Sequence, residues 1–129
     1  NGWRIVMAMQ VIADLYGCDD IINDITAIKN AAHTAIEYVG ANIVEECTHE
    51  FEPIGITYFA VISTSHFSIH TWPEYGYVAV DIFSCNDSVA DGISNKLKEL
   101  FGASKIIYRI IERAICCEEE MKMEEKNVL

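Results

Sequence analysis

The segment TSHFSIHTWPEYGY, residues 64 to 77, gathers two histidines, a serine and a crowd of aromatic side chains around one glutamate. Imidazoles beside hydroxyls can move protons or activate a nucleophile, and paired histidines can bind a metal. For a metal, the candidate ligands are His66 and His70 together with Cys47 and His49. Phe67, Ile69, Thr71 and Trp72 are strand-forming, and on a strand four residues span about 13 Å, which prevents one ion from being shared. No metal is expected. A hydrolase built on Ser65 or Cys85 lacks support, because neither residue sits in a nucleophile-elbow or oxyanion-glycine pattern. Taken singly, Ser65 reads as a turn hydroxyl, His70 as a hydrogen-bonded half-buried histidine and Cys85 as a small core residue. Trp72, Tyr75 and Tyr77 read as sheet packing.

The elements that would carry these residues belong to one domain: the chain has 129 residues, a hydrophobic fraction of 51% and two prolines. Residues 4 to 15 read as a strand, with Asp19 and Asp20 available as helix caps. Ile21, Ile25, Ile28, Ala32 and Ala35 recur at helical spacing as far as Tyr38, and Gly40 supplies a stop. Strands follow at 42 to 51, 56 to 63, 66 to 72 and 77 to 84, punctuated by Pro53, Gly55, Pro73 and Gly76. Val89, Ile93, Leu97, Leu100 and Phe101 mark a second helix, and a last strand covers 104 to 112. The expected fold class is α+β, a two-layer sandwich of a mainly antiparallel sheet with two helices on one face. The domain spans residues 1–112, and residues 113–129 form a charged tail. The second sheet face is too apolar to stay wet, so a partner subunit is expected there.

Twenty acidic against nine basic residues give a net charge of -11, which argues against nucleic acid and favours cationic small molecules such as amines, amino acids or sulfonium compounds. Five cysteines without a CxxC pair indicate a reducing, cytoplasmic setting. The opening run WRIVMAMQVIA is interrupted by Gln10 and lacks a basic leader, and the chain has no stretch of eighteen apolar residues. Neither export nor a membrane partner is expected.

The order of the whole set is more informative than any member. STSHFSIHTWPEYGYVAVDIFSC, residues 63 to 85, strongly resembles the self-processing segment of prokaryotic S-adenosylmethionine decarboxylases, which are pyruvoyl enzymes made as proenzymes. ADLYGCD at 13 to 19 and GANIVEECTHEFEPIGIT at 40 to 57 extend the likeness to roughly residues 5 to 112. The resemblance implies self-cleavage between Thr64 and Ser65, with the serine converted to a pyruvoyl group. That cofactor answers a chemical need, since decarboxylating an amino acid leaves a carbanion and no natural side chain offers a ketone to take up its electrons.

Further roles follow from the resemblance alone. His70 corresponds to the processing histidine, Thr57 to a serine that assists processing and Cys85 to the proton donor of decarboxylation. Phe51 corresponds to the residue stacked on adenine, and Glu74 to the one that binds the ribose hydroxyls. The implied product is the aminopropyl donor for spermidine synthesis, and the implied assembly is a homodimer of cleaved protomers. Two features depart from the family pattern: Thr64 stands where glutamate is usual, and Ala8, Met9 and Gln10 replace a glycine-basic-histidine pattern. Two alternatives stay open, an arginine or ornithine decarboxylase on the same scaffold and an uncleaved regulatory homologue. Strand parity adds one expectation: Ser65 and His70, five residues apart, fall on opposite faces of an unbroken strand, so Ser65 must sit outside the regular pleat, in the bend between strands.

Overall fold

The computed structural model describes residues 6–86, 89 and 92–116. β1 (Val6–Tyr16) is followed by a 3-10 turn at Asp20–Asn23 and by α1 (Ile25–Tyr38). β2 (Ile43–Glu50), β3 (Ile56–Ile62), β4 (Ser65–Trp72) and β5 (Tyr77–Ser84) come next, then α2 (Ile93–Leu100) and β6 (Lys105–Cys116). The strands form one sheet in the order β2-β3-β4-β5-β1-β6, and every neighbouring pair is antiparallel. This is the expected α+β sandwich. No helix among the described residues is long and apolar enough to cross a membrane.

Period-two burial explains the layering. Phe67, Ile69 and Thr71 of β4 and Val78, Val80 and Ile82 of β5 are buried beneath the helices. Their alternate neighbours His66, His70, Phe83 and Ala79 therefore occupy the other face, called here the open face. Helix α1 docks through Ile28, Ala31, Ala32, Ala35 and Ile36, a stripe whose alanines let its backbone approach the sheet.

Several strand ends shift by one residue, and three boundaries differ more consequentially from the sequence reading. Asp24, rather than Asp19 or Asp20, caps α1: its side chain accepts hydrogen bonds from the backbone N–H groups of Thr26 and Ala27. Such a cap contributes about 1 kcal/mol and starts the helix at Ile25, leaving Ile21 in the 3-10 turn. The second helix begins only at Ile93, although Val89 is fully buried ahead of it. β6 continues four residues past the expected end at 112, because it pairs with β1 as far as Val6↔Cys116. The anticipated tail, from residue 117 onward, lies outside the described residues. Gly40 is the expected stop, with a φ of +76° that an L side chain rarely adopts.

One polar contact ties the helix layer to the sheet edge. Glu46 of β2 lies 2.8 Å from His33 Nε2 on α1 and accepts a 3.0 Å hydrogen bond from the hydroxyl of buried Tyr58. The His33 hydrogen bond is the main reason that the Glu46 carboxyl is held below the usual range; partial burial opposes it, and Tyr58 adds to the lowering. A carboxyl with a depressed folded pKa stabilises the fold above its unfolded pKa, and that contribution is lost as pH falls through the folded value. Thermal unfolding at pH 6 is therefore expected to place Glu46→Gln below the native chain, with the gap closing as pH is lowered toward 3. A gap that persists or widens on acidification contradicts this assignment.

Candidate active site

The turn between β3 and β4 is pinned from both sides. Ser63 N–H donates to the Asn42 carbonyl at 2.8 Å, and Ser63 Oγ accepts from Asn42 N–H at 3.0 Å. On the other side, Cys85 N–H donates to the carbonyl of Thr64 at 2.9 Å. That carbonyl belongs to the peptide bond joining Thr64 to Ser65, so a fixed donor polarises the carbon a nucleophile would attack.

Ser65 follows with a φ of +147°, the only positive φ at a non-glycine residue among the described residues. It opens β4 opposite Ile62 on one side and Ser84 on the other. Ser65 is thus paired on both sides as the first residue of β4, not set in the bend between strands as the sequence suggested, and only its φ departs from the regular pleat. An L residue held at such an angle stores of order 1–3 kcal/mol, maintained here by ladders on both flanks. Cys85 is exposed immediately after β5, next to this peptide.

A second constellation lies at the opposite end of β4. Thr57 of β3 stands across from His70 of β4, with Thr57 Oγ1 3.0 Å from His70 Nδ1. When Nδ1 carries the proton it donates to Thr57, leaving Nε2 free as a base and the Thr57 hydroxyl free to donate elsewhere. Both residues line a cleft of about 410 Å³ with Phe51, Ile54, Trp72 and Glu74. Phe51 is half exposed and is anchored by its N–H to the Gly55 carbonyl at 2.8 Å. Gly55 has a φ of +111°, and a Cβ there would meet the Thr71 carbonyl at 3.4 Å, so glycine suits the floor of the cleft. An exposed aromatic face beside a carboxylate can hold a flat base and accept hydrogen bonds from hydroxyls.

The chain therefore brings Phe51, Thr57, His70 and Glu74 together, and separately Thr64, Ser65 and Cys85. It does not unite the two groups. Five residue steps of paired strand separate Ser65 from His70, roughly 16 Å.

Sequence reasoning missed two participants. Trp72, read as sheet packing, lines the cleft and tilts against His70 at 6.4 Å and Tyr77 at 5.3 Å; its place beside Pro73 and Glu74 was the available signal. The Cys85 N–H left none, because every residue but proline has an amide. Tyr77 in turn donates to Asp14 of β1, and burial followed by that hydrogen bond pushes its hydroxyl well above the ordinary tyrosine pKa.

Comparison with known proteins decides the relationship. A family profile described as S-adenosylmethionine decarboxylase matches residues 9–114. The chain belongs to the S-adenosylmethionine decarboxylase family. The chain is 38% identical over 124 residues to the S-adenosylmethionine decarboxylase proenzyme of Carboxydothermus hydrogenoformans, covering 95% of this chain and 98% of that one. It is 41% identical over 118 residues to the proenzyme of that name from Pelotomaculum thermopropionicum, covering 90% and 94%. The crystal structure of the adenosylmethionine decarboxylase from Aquifex aeolicus superposes with a TM-score of 0.78 at 30% identity, covering 88% of this chain and 95% of that one.

The backbone angle at Ser65 makes a prediction independent of catalysis. Ser65→Gly and Ser65→Ala both lose the hydroxyl, but glycine alone accepts the angle freely. Chemical denaturation is expected to find Ser65→Gly more stable by about 1 kcal/mol. Equal stability, or a more stable alanine variant, contradicts strain at this residue.

Proposed function

We propose that this chain is a self-processing, pyruvoyl-dependent S-adenosylmethionine decarboxylase. The observation that carries the proposal is the peptide between Thr64 and Ser65, strained at φ +147° and polarised by Cys85 N–H, in a chain whose relatives are named proenzymes of this activity.

Processing begins when Ser65 Oγ gives up its proton and bonds to the Thr64 carbonyl carbon. The C–N bond then breaks, the Ser65 nitrogen takes a proton and an ester replaces the peptide. His70 removes the Cα proton of residue 65, the Cβ–O bond breaks and Thr64 departs as a carboxylate. Water then hydrolyses the remaining enamine, through its imine, releasing ammonia and leaving the pyruvoyl group at the new N-terminus. That group supplies a ketone able to condense with the substrate amine and accept the electrons freed with carbon dioxide. Phe51 stacks on the adenine, and Glu74 binds the ribose hydroxyls and attracts the sulfonium cation. Cys85 returns a proton to the substrate carbon. The product serves as an aminopropyl donor for spermidine synthesis in the cytoplasm.

The separation of Ser65 from His70 gives the homodimer a chemical purpose. The open face exposes Phe59, Trp72, Ile107 and Ile111, each about 40% accessible or slightly more. A two-fold axis near Ser68 lays two such faces together with their β4 strands antiparallel. Ser65 and Cys85 of one protomer then meet Thr57, His70 and the cleft of its partner.

Intact-mass analysis is expected to find two chains, the second with a blocked N-terminus. Carbon dioxide should be released from S-adenosylmethionine and not from arginine or ornithine. A single uncleaved chain favours the regulatory homologue, and release from the other amino acids overturns the substrate. Phe51→Ala should raise KM about tenfold or more with a smaller change in kcat.

Sharing of the site has its own test. Ser65→Ala and His70→Ala chains, each uncleaved when made alone, should yield cleaved His70→Ala chain when co-expressed. Absence of cleavage in the mixture contradicts the shared site.

A further inference from the structure

Thr64 Oγ1 is buried and has no hydrogen-bond partner; among the described residues no other side-chain nitrogen or oxygen is in that position. An unpaired buried hydroxyl costs roughly 1–3 kcal/mol. Its own protomer leaves the atom essentially no solvent-accessible surface, although Thr64 as a whole is only part-buried. The hydroxyl also belongs to the residue whose carbonyl is attacked during self-processing, where the family's usual glutamate offers no hydroxyl.

We propose that the Thr64 hydroxyl is an additional donor to the oxyanion of the acyl shift, a catalytic role in cleavage supplied by the scissile residue itself. The proposal rests on the self-processing reading. In the resting chain the Thr64 carbonyl oxygen is planar, uncharged and already accepts from Cys85 N–H at 2.9 Å. When Ser65 Oγ bonds to the carbonyl carbon, the π pair moves onto that oxygen, which becomes charged and gains a further lone pair. Within one threonine, a rotamer that turns Oγ1 toward the carbonyl closes a six-membered O–H···O ring with the oxyanion once the carbon turns tetrahedral. The hydroxyl thus has no partner in the ground state and a charged one in the transition state, a difference that lowers the barrier from both ends. Collapse to the ester returns the electron pair and expels the Ser65 nitrogen, which takes up a proton.

The test measures the rate at which freshly synthesised full-length protein converts from one chain to two. Thr64→Val keeps the shape and removes the donor, whereas Thr64→Ser keeps the donor. The valine variant is expected to process about 10- to 100-fold more slowly, and the serine variant within about threefold of the native rate. In a Ser65→Ala background, which cannot cleave, Thr64→Val should leave the unfolding midpoint unchanged or raised, because it removes an unpaired polar atom. Native-rate cleavage of the valine variant overturns the proposal alone. So does a serine variant as slow as valine, or a valine variant that is markedly destabilised, since either makes packing the cause. A native chain that never cleaves overturns the self-processing reading as well.

Discussion

Along β4, Ser65 and His70 are held apart by five residue steps of extended chain, and a strand paired on both edges cannot shorten that distance. The placement of the other residues depends on this constraint. The register that sets Thr57 opposite His70 also sets Ile62 opposite Ser65, so the strained Thr64–Ser65 peptide and the imidazole lie at opposite ends of one antiparallel pair. Under the proposed function, each protomer would supply half of each of two sites. An apolar open face, costly to leave in water, is the surface that allows two halves to meet.

The peptide end is governed by restraint rather than by an unusual side chain. Asn42 and Cys85 clamp the turn through backbone groups, and β3 and β5 hold Ser65 on either side. Together they maintain a φ that an isolated serine would abandon. The cleft end is governed by packing: Gly55 supports Phe51, Trp72 leans on His70, and Tyr77 with Asp14 stiffens the strand pair behind them. The helix layer takes no direct part. Its contribution is the buried core on the opposite face, including Tyr58, Phe67 and Ile82, which fixes strand register and thereby every distance in the site.

Much of this was legible in the residues themselves. Alternation through Phe67, Ile69 and Thr71 gave β4, and the spacing from Ile28 to Ala35 gave α1. Parity between Ser65 and His70 pointed to an irregular Ser65, which the structure shows as a positive φ inside the ladder rather than as a bend outside it. Cap choice was not legible: Asp19, Asp20 and Asp24 offer the same acceptor chemistry, and only the structure shows that Asp24 takes the backbone donors of Thr26 and Ala27. Strand pairing across the sheet was hidden too, since β1 lies between β5 and β6, its neighbours by topology rather than by sequence. The two site halves were named by resemblance, but their separation emerged only with the register. The Cys85 amide and the orphaned Thr64 hydroxyl carry no sequence signal, because each is defined by what surrounds it.

The most direct measurement is covalent trapping. Purified protein incubated with S-adenosylmethionine and cyanoborohydride, then digested and sequenced by mass spectrometry, should carry a substrate-derived adduct on the three-carbon group that begins the peptide at position 65. A peptide that still runs unmodified through Thr64 and Ser65 would contradict the account at its foundation.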